Sequence, residues 1–169
     1  TREEYLNALS SQLRSLQTTP GRLEQSVEMA SYDTWIKYYR PDENSANTSI
    51  SYYVKGAVIG FLLDAKLRSV TAGAASLDAV MRLLYERFSG DRGFSPEDLR
   101  ATVASVAGPA HAREIRAWLE RALATTSEVD YAEAVEWLGL RITPPPQAPD
   151  AWLGLTARVN SQRTIVTEV

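Results

Sequence analysis

The sequence predicts an all-α fold, a helical bundle or array of roughly six to eight helices with a short C-terminal β-hairpin tail. Three observations predict it. Apolar residues recur at helical spacing in one segment after another as far as Leu138. Capping residues open most of these segments, and Gly or Pro closes them. From Thr143 onward a proline-rich run gives way to two stretches rich in β-branched residues.

Each element has its own signal. Thr1-x-x-Glu4 has the form of a capping box, and Leu6, Leu9, Leu13 and Leu16 follow at helical spacing until Pro20-Gly21. Gln25 to Tyr39 is expected as one or two short helices with Trp35 and Ile36 turned inward, and Arg40 to Thr48 as a polar loop opened by Pro41. Ile50 to Ser69 is the clearest helix, with Val54, Val58, Phe61 and Ala65 in a narrow arc. Tyr53, Gly56, Ala57, Gly60 and Asp64 form a second arc beside it. A glycine costs about 1 kcal/mol in a helix interior, so two on one arc predict a close approach, most simply by a packed helix. Tyr52 shares a mixed arc with Lys55, Ile59, Leu63 and Lys66, and Lys55 is expected on a solvated face or in an ion pair.

The second half continues in the same way. Ser76 caps a helix whose inner stripe is Leu77, Val80, Met81, Leu84 and Phe88. Ser95-Pro96-Glu97-Asp98 combines an N-cap, a proline at the first position and acids against the helix dipole. Gly108-Pro109 stops that helix. Ala110 to Ala124 carries Ile115, Trp118, Leu119, Ala122 and Leu123, and Asp130-x-x-Glu133 is expected to cap a last short helix through Leu138. Thr143 to Pro149 reads as a stiff, extended linker. Trp152 to Val159 and Arg163 to Val169 read as two strands around Asn160-Ser161-Gln162. The expected organisation is therefore residues 1–143 as a helical unit, 144–150 as a linker and 151–169 as the opening of a second domain.

Composition excludes several function classes. The chain has 169 residues, 44% hydrophobic and 23% charged, which is ordinary for a globular protein. Its net charge of -3 gives no basic excess for gripping phosphates, so no nucleic acid partner is expected. No apolar run reaches the ~20 residues of a membrane span, so no membrane partner is expected either. Cysteine is absent, and His111 is the one histidine. A catalytic zinc needs more imidazoles than that, so no metal site is expected in this chain. Thr1 opens directly into a helix without a leader-like start, and the chain is expected to be cut from a longer one.

Residues Ser31-Tyr-Asp-Thr-Trp35-Ile-Lys-Tyr-Tyr-Arg40-Pro-Asp-Glu-Asn44, then Ser51-Tyr-Tyr53-Val-Lys55-Gly56, Leu63-Asp64 and Leu67-Arg68 are distinctive. This block resembles the glycyl aminopeptidase-like metallopeptidases that carry a C-terminal PDZ domain, zinc peptidases of the gluzincin type. Glu3-Glu4-Tyr5-Leu6 resembles the helix after the family's zinc-binding segment. Trp152-Leu-Gly154-Leu and Thr164-Ile-Val-Thr-Glu-Val169 resemble the first two strands of its PDZ domain. In the family the H-E-x-x-H helix and its downstream Glu lie shortly before the position of Thr1. The resemblance therefore implies zinc in the full-length protein and none held by this chain, which alone is expected to be inactive.

The resemblance also implies roles. Tyr53-Val-Lys55-Gly56 matches a Tyr-x-Lys-Gly motif in which the phenol donates a hydrogen bond to the developing oxyanion, opposite the zinc. Tyr53 is thus the candidate catalytic residue and Tyr52 the runner-up; read from spacing alone, a core or edge tyrosine is the favoured reading of Tyr53. Asn44, with Asp42, Glu43 and Asn47, lies on the loop leading into that helix and is a candidate for substrate binding, although turn chemistry explains such residues as well. Gly154 resembles part of the carboxylate-binding loop of a PDZ domain; a strand with one glycine is the simpler reading. His111 is expected at a helix start, and Trp118 and Trp137 in the core. A peptide is the implied substrate, and unpaired edges of the tail make a homodimer through the C-terminal strands a further expectation. Family members are often exported, which points to the periplasm. The reading from another class is a non-catalytic helical interaction module with a strand-forming tail; an H-E-x-x-H segment upstream of Thr1 would separate the two.

Overall fold

The computed structural model describes residues 1–143, 156–160 and 163–168. Eight α-helices and two short 3-10 turns make up the helical part of the described residues. Helix α1 (Arg2–Thr18) starts with the expected capping box, in which Thr1 Oγ1 accepts from the Glu4 amide at 3.2 Å. A 3-10 turn, Pro20–Leu23, follows it. Helix α2 (Val27–Tyr32) is capped by Ser26, whose hydroxyl accepts from the Met29 amide. Residues 33–39 continue as turns, not as a second helix, and α3 (Ser45–Thr48) adds one short turn inside the expected loop.

The long helix α4 (Tyr52–Val70) lies at the centre and starts from a Ser51 cap. Helices α5 (Leu77–Phe88), α6 (Pro96–Ala107) and α7 (Ala112–Ala124) pack around its C-terminal half. Helix α6 has its capping box, with Ser95 and Asp98 exchanging bonds. The short helix α8 (Ala132–Trp137) begins at Tyr131 with no side-chain cap; the Asp130 carboxylate instead accepts from the Ala132 amide at 2.8 Å. Strands β1 (Thr156–Asn160) and β2 (Arg163–Glu168) pair antiparallel, with Val159 opposite Thr164. Trp152, Leu153 and Gly154, together with the 144–150 segment, lie outside the described residues.

Helix α4 divides the core into two clusters and belongs to both. One joins Leu63 and Leu67 to Val80, Leu84, Val103, Ile115 and Leu119. The other joins Val58, Leu62 and Ala65 to Leu16, Ala30, Ile50 and Ala134. Trp118 of α7 packs against both clusters. A helix buried on opposite sides needs apolar residues around most of its circumference, which α4 supplies. Burying a Val or Leu side chain is worth ~1.5–3 kcal/mol, so the shared helix holds the two halves together.

Four expectations about packing fail. Trp35 and Ile36 point outward, 75% and 70% exposed, because the 33–39 turns carry them away from both clusters. Met81 is exposed on the outer side of α5. Trp137 is 43% exposed at the end of α8. The two glycines of α4 mark no tight helix crossing. A Cβ at Gly56 would meet nothing within 4 Å, and one at Gly60 would make an ordinary 3.7 Å contact with Leu77.

Candidate functional site

The first turn of α4 is braced from one side. Lys55 is buried, at 6% exposure, and its Nζ donates to the carbonyl oxygens of Arg22 at 2.9 Å and Gln25 at 3.0 Å. The expectation of a solvated or ion-paired Lys55 is thereby corrected. The turn after α1 lays its carbonyls over the start of α4, and a long cationic side chain satisfies them. Burial, then the nearby Arg22 charge, pushes the Lys55 ammonium below its ordinary value. Gln25 reaches forward in return, its Oε1 accepting from the Ile50 amide at 3.0 Å. Gly21 closes the brace: a Cβ there would lie 2.1 Å from the Ser49 carbonyl oxygen, so only glycine permits this approach.

Tyr52 and Tyr53 stand at the head of this braced helix. Tyr53 is 60% exposed, while Tyr52 is half-buried against the second core cluster. Their ring centroids are 4.1 Å apart. The 33–39 turns add further rings: Tyr38 lies 5.8 Å from Tyr52 and 6.4 Å from Tyr53, edge to face. Tyr39 packs on Tyr38 at 5.3 Å and on Trp35 at 5.1 Å. Hydrogen bonding with Tyr53, then with Tyr39, holds the Tyr52 phenol below its ordinary value. Hydrogen bonding with Tyr52, then with Tyr53, pushes the Tyr39 phenol well above it. The arrangement can offer a phenolic O–H to an oxygen that is gaining charge, beside a flat apolar surface.

The structure brings Tyr53 and Tyr52 together with Tyr38, Tyr39 and Trp35. The last three are not among the site residues expected from the sequence, where Trp35 is expected inward; the run of aromatic residues from Tyr32 to Tyr39 is the signal that marks them. Asn44 is engaged in its own loop, where its side-chain oxygen accepts from Asn47 Nδ2 at 2.9 Å. Asp42 accepts from the Asn44 amide and from Ser45 Oγ, so turn chemistry accounts for this loop. Gly154 lies outside the described residues. His111 sits at the N-cap of α7.

Zinc finds no fit among these residues. The chain has one histidine and no cysteine, and no cluster of three His, Asp or Glu suited to a metal occurs among the described residues. A separate groove of about 770 Å³ lies away from the rings, between α1, Phe61 of α4, α8 and residues 140–143. Leu6, Leu9, Leu13 and Ile142 line it, with Arg14 and Arg141 among its polar residues.

Residues 1–59 match the sequence profile of the M61 glycyl aminopeptidase family. The matched span runs from α1 through the aromatic turns to the braced start of α4, and includes Tyr52, Tyr53 and Lys55. The match is a likeness to that peptidase family over the first 59 of 169 residues. No curated protein matches the chain. No solved structure matches it either.

Proposed function

We propose that this chain is the helical C-terminal part of the catalytic region of a zinc-dependent aminopeptidase. It walls the substrate cleft and supplies Tyr53 as the hydrogen-bond donor to the oxyanion. The observation that carries this reading is the exposed Tyr53 phenol at the head of a braced helix, inside the span that matches the peptidase family. Attack on a peptide carbonyl places negative charge on its oxygen, and a preorganised O–H aimed at that oxygen is worth ~10²–10³ in rate. Lys55 and Gly21 fix the helix start, and the rings of Tyr52 and Tyr38 limit where the Tyr53 side chain can go.

In this reading the zinc ligands are an H-E-x-x-H pair and a downstream Glu outside this chain, as the family resemblance implies. The family's name gives glycine as the residue released. Residues 1–143 then form the helical unit, 144–150 a linker, and 151–169 the start of a PDZ-like domain with Gly154 in its carboxylate loop. The paired strands β1 and β2 leave outer edges through which two copies can dimerise.

The test is hydrolysis of glycyl peptides by the full-length protein. It should release glycine, lose that activity to a chelator and regain it with zinc, while this 169-residue chain alone shows none. A full-length protein that cleaves nothing and instead captures a partner through this chain would favour the helical interaction module.

A further inference from the structure

Large apolar side chains are left exposed in one place more than any other, the stretch from Tyr32 to Tyr39 together with Tyr53. Exposed apolar groups scattered singly need no explanation, but a contiguous patch of this kind marks a binding surface. Trp35, Tyr39, Tyr38 and Tyr53 form a continuous chain of ring contacts at 5.1, 5.3 and 6.4 Å. Rings that hold one another in this way lose little freedom when a ligand settles on them. The surface is also neutral where it matters. Asp33, the acid within that run, is paired with Lys37 at 2.7 Å. Beside Tyr53 there is room, since the α4 surface at Gly56 faces open space.

We propose that this ring platform receives a large apolar side chain of the substrate, so that the enzyme favours peptides with an aromatic or branched aliphatic residue next to the N-terminal glycine. The inference rests on the reading of Tyr53 as the oxyanion donor. A carbonyl held at the Tyr53 hydroxyl lies beside the rings of Tyr38 and Tyr52, so the adjoining peptide can run across the platform. Glycine offers those rings no side chain. The residue that follows it does, and an aromatic group there gains edge-to-face or stacked contacts as well as burial.

The experiment compares Gly-Ala-Ala, Gly-Leu-Ala and Gly-Phe-Ala as substrates of the full-length enzyme, in the wild type and in Trp35→Ala, Trp35→Phe and Tyr53→Phe. The wild type should prefer Gly-Phe-Ala over Gly-Ala-Ala by about tenfold in kcat/KM, chiefly through KM. Trp35→Ala should bring that ratio close to one, and Trp35→Phe should restore most of it. Tyr53→Phe should lower kcat on every peptide and leave the ratio standing, so a failure of Tyr53 as donor is seen separately. Equal kcat/KM on the three peptides would overturn the inference. So would a Trp35→Ala variant that loses melting temperature but keeps the preference, because the patch would then be covered by other parts of the polypeptide.

Discussion

Lys55 Nζ lies 2.9 Å from the Arg22 carbonyl oxygen, joining the first turn of α4 to a turn that lies 33 positions earlier in the chain. The same ammonium reaches the Gln25 carbonyl at 3.0 Å. No carboxylate is involved. The bond therefore acts as a strut between backbone segments, and its removal has consequences of two kinds.

Lys55→Met keeps the volume and removes the donors. Two carbonyls lose their partner, and leaving a buried group unsatisfied costs ~1–3 kcal/mol, so the variant should unfold at lower urea concentration. The pH dependence has a definite sign. Burial holds the folded-state value below the ordinary 10.5. Between that lowered value and 10.5 the unfolded chain keeps a proton that the folded chain has released, so stability gains with rising pH. The wild-type advantage over Lys55→Met should therefore widen toward pH 10.5, as read by urea titrations across that range.

Two glycine substitutions should act in opposite directions. Gly21→Ala forces a Cβ to within 2.1 Å of the Ser49 carbonyl oxygen, a backbone atom that cannot step aside cheaply. Overpacking of this kind costs ~1–3 kcal/mol. Gly56→Ala adds a methyl in open space on a helix, and should stabilise by ~0.5–1 kcal/mol. Thermal melts of both variants check the pair; a stable Gly21→Ala would mean that the turn is not braced as described.

Leu67 is fully buried in the cluster between α4, α5, α6 and α7. Leu67→Ala should cost ~2–5 kcal/mol in denaturant unfolding. A loss under ~1 kcal/mol would mean that this cluster is not a packed core.

Acid should weaken the helical unit. A hydrogen bond from Arg116, at 2.6 Å to Oε2, holds Glu97 below its ordinary 4.5. Hydrogen bonding to Ser95 holds Asp98 below 3.8, and hydrogen bonding to Lys66 holds Glu114 below 4.5. Carboxylates with lowered values contribute stability that is present above their unfolded values and is lost as pH falls through the lowered ones. The melting temperature should thus decline below about pH 4.5. Arg116→Gln should flatten part of that decline. High salt should do the same, since these pairs are exposed.

Much of the helical frame was legible because its signals are local. Thr1-x-x-Glu4, Ser76 and Ser95-Pro96 name their own helix starts, and the Val80, Val103 and Ile115 stripes name their buried faces. Met81 and Trp137 were misplaced because short amphipathic helices leave the edge of the stripe open to either side. Trp35 and Ile36 were misplaced for another reason. Their spacing suits a helix, but Ser26 and Gln25 anchor only the start of that segment, and the rest turns outward into an aromatic surface. Lys55 could not be read from spacing, because its partners are backbone carbonyls contributed by a distant turn. Tyr53 was singled out through its motif, and its exposure at the head of α4 came only with the structure.

The central claim is that Tyr53 donates the hydrogen bond that stabilises the oxyanion. The direct measurement is kcat of the full-length enzyme on a short glycyl peptide for Tyr53→Phe, with Tyr52→Phe as the internal control and zinc content and melting temperature followed in both. Removing one oxyanion donor should lower kcat by ~10²–10³ and change substrate binding far less, since the bond strengthens only as charge develops. Tyr52→Phe should cost under about tenfold, by loss of one hydrogen bond within the tyrosine cluster. Equal small losses in both variants would contradict the account and leave Tyr53 as a packing residue; a large loss in Tyr52→Phe alone would transfer the role to its neighbour.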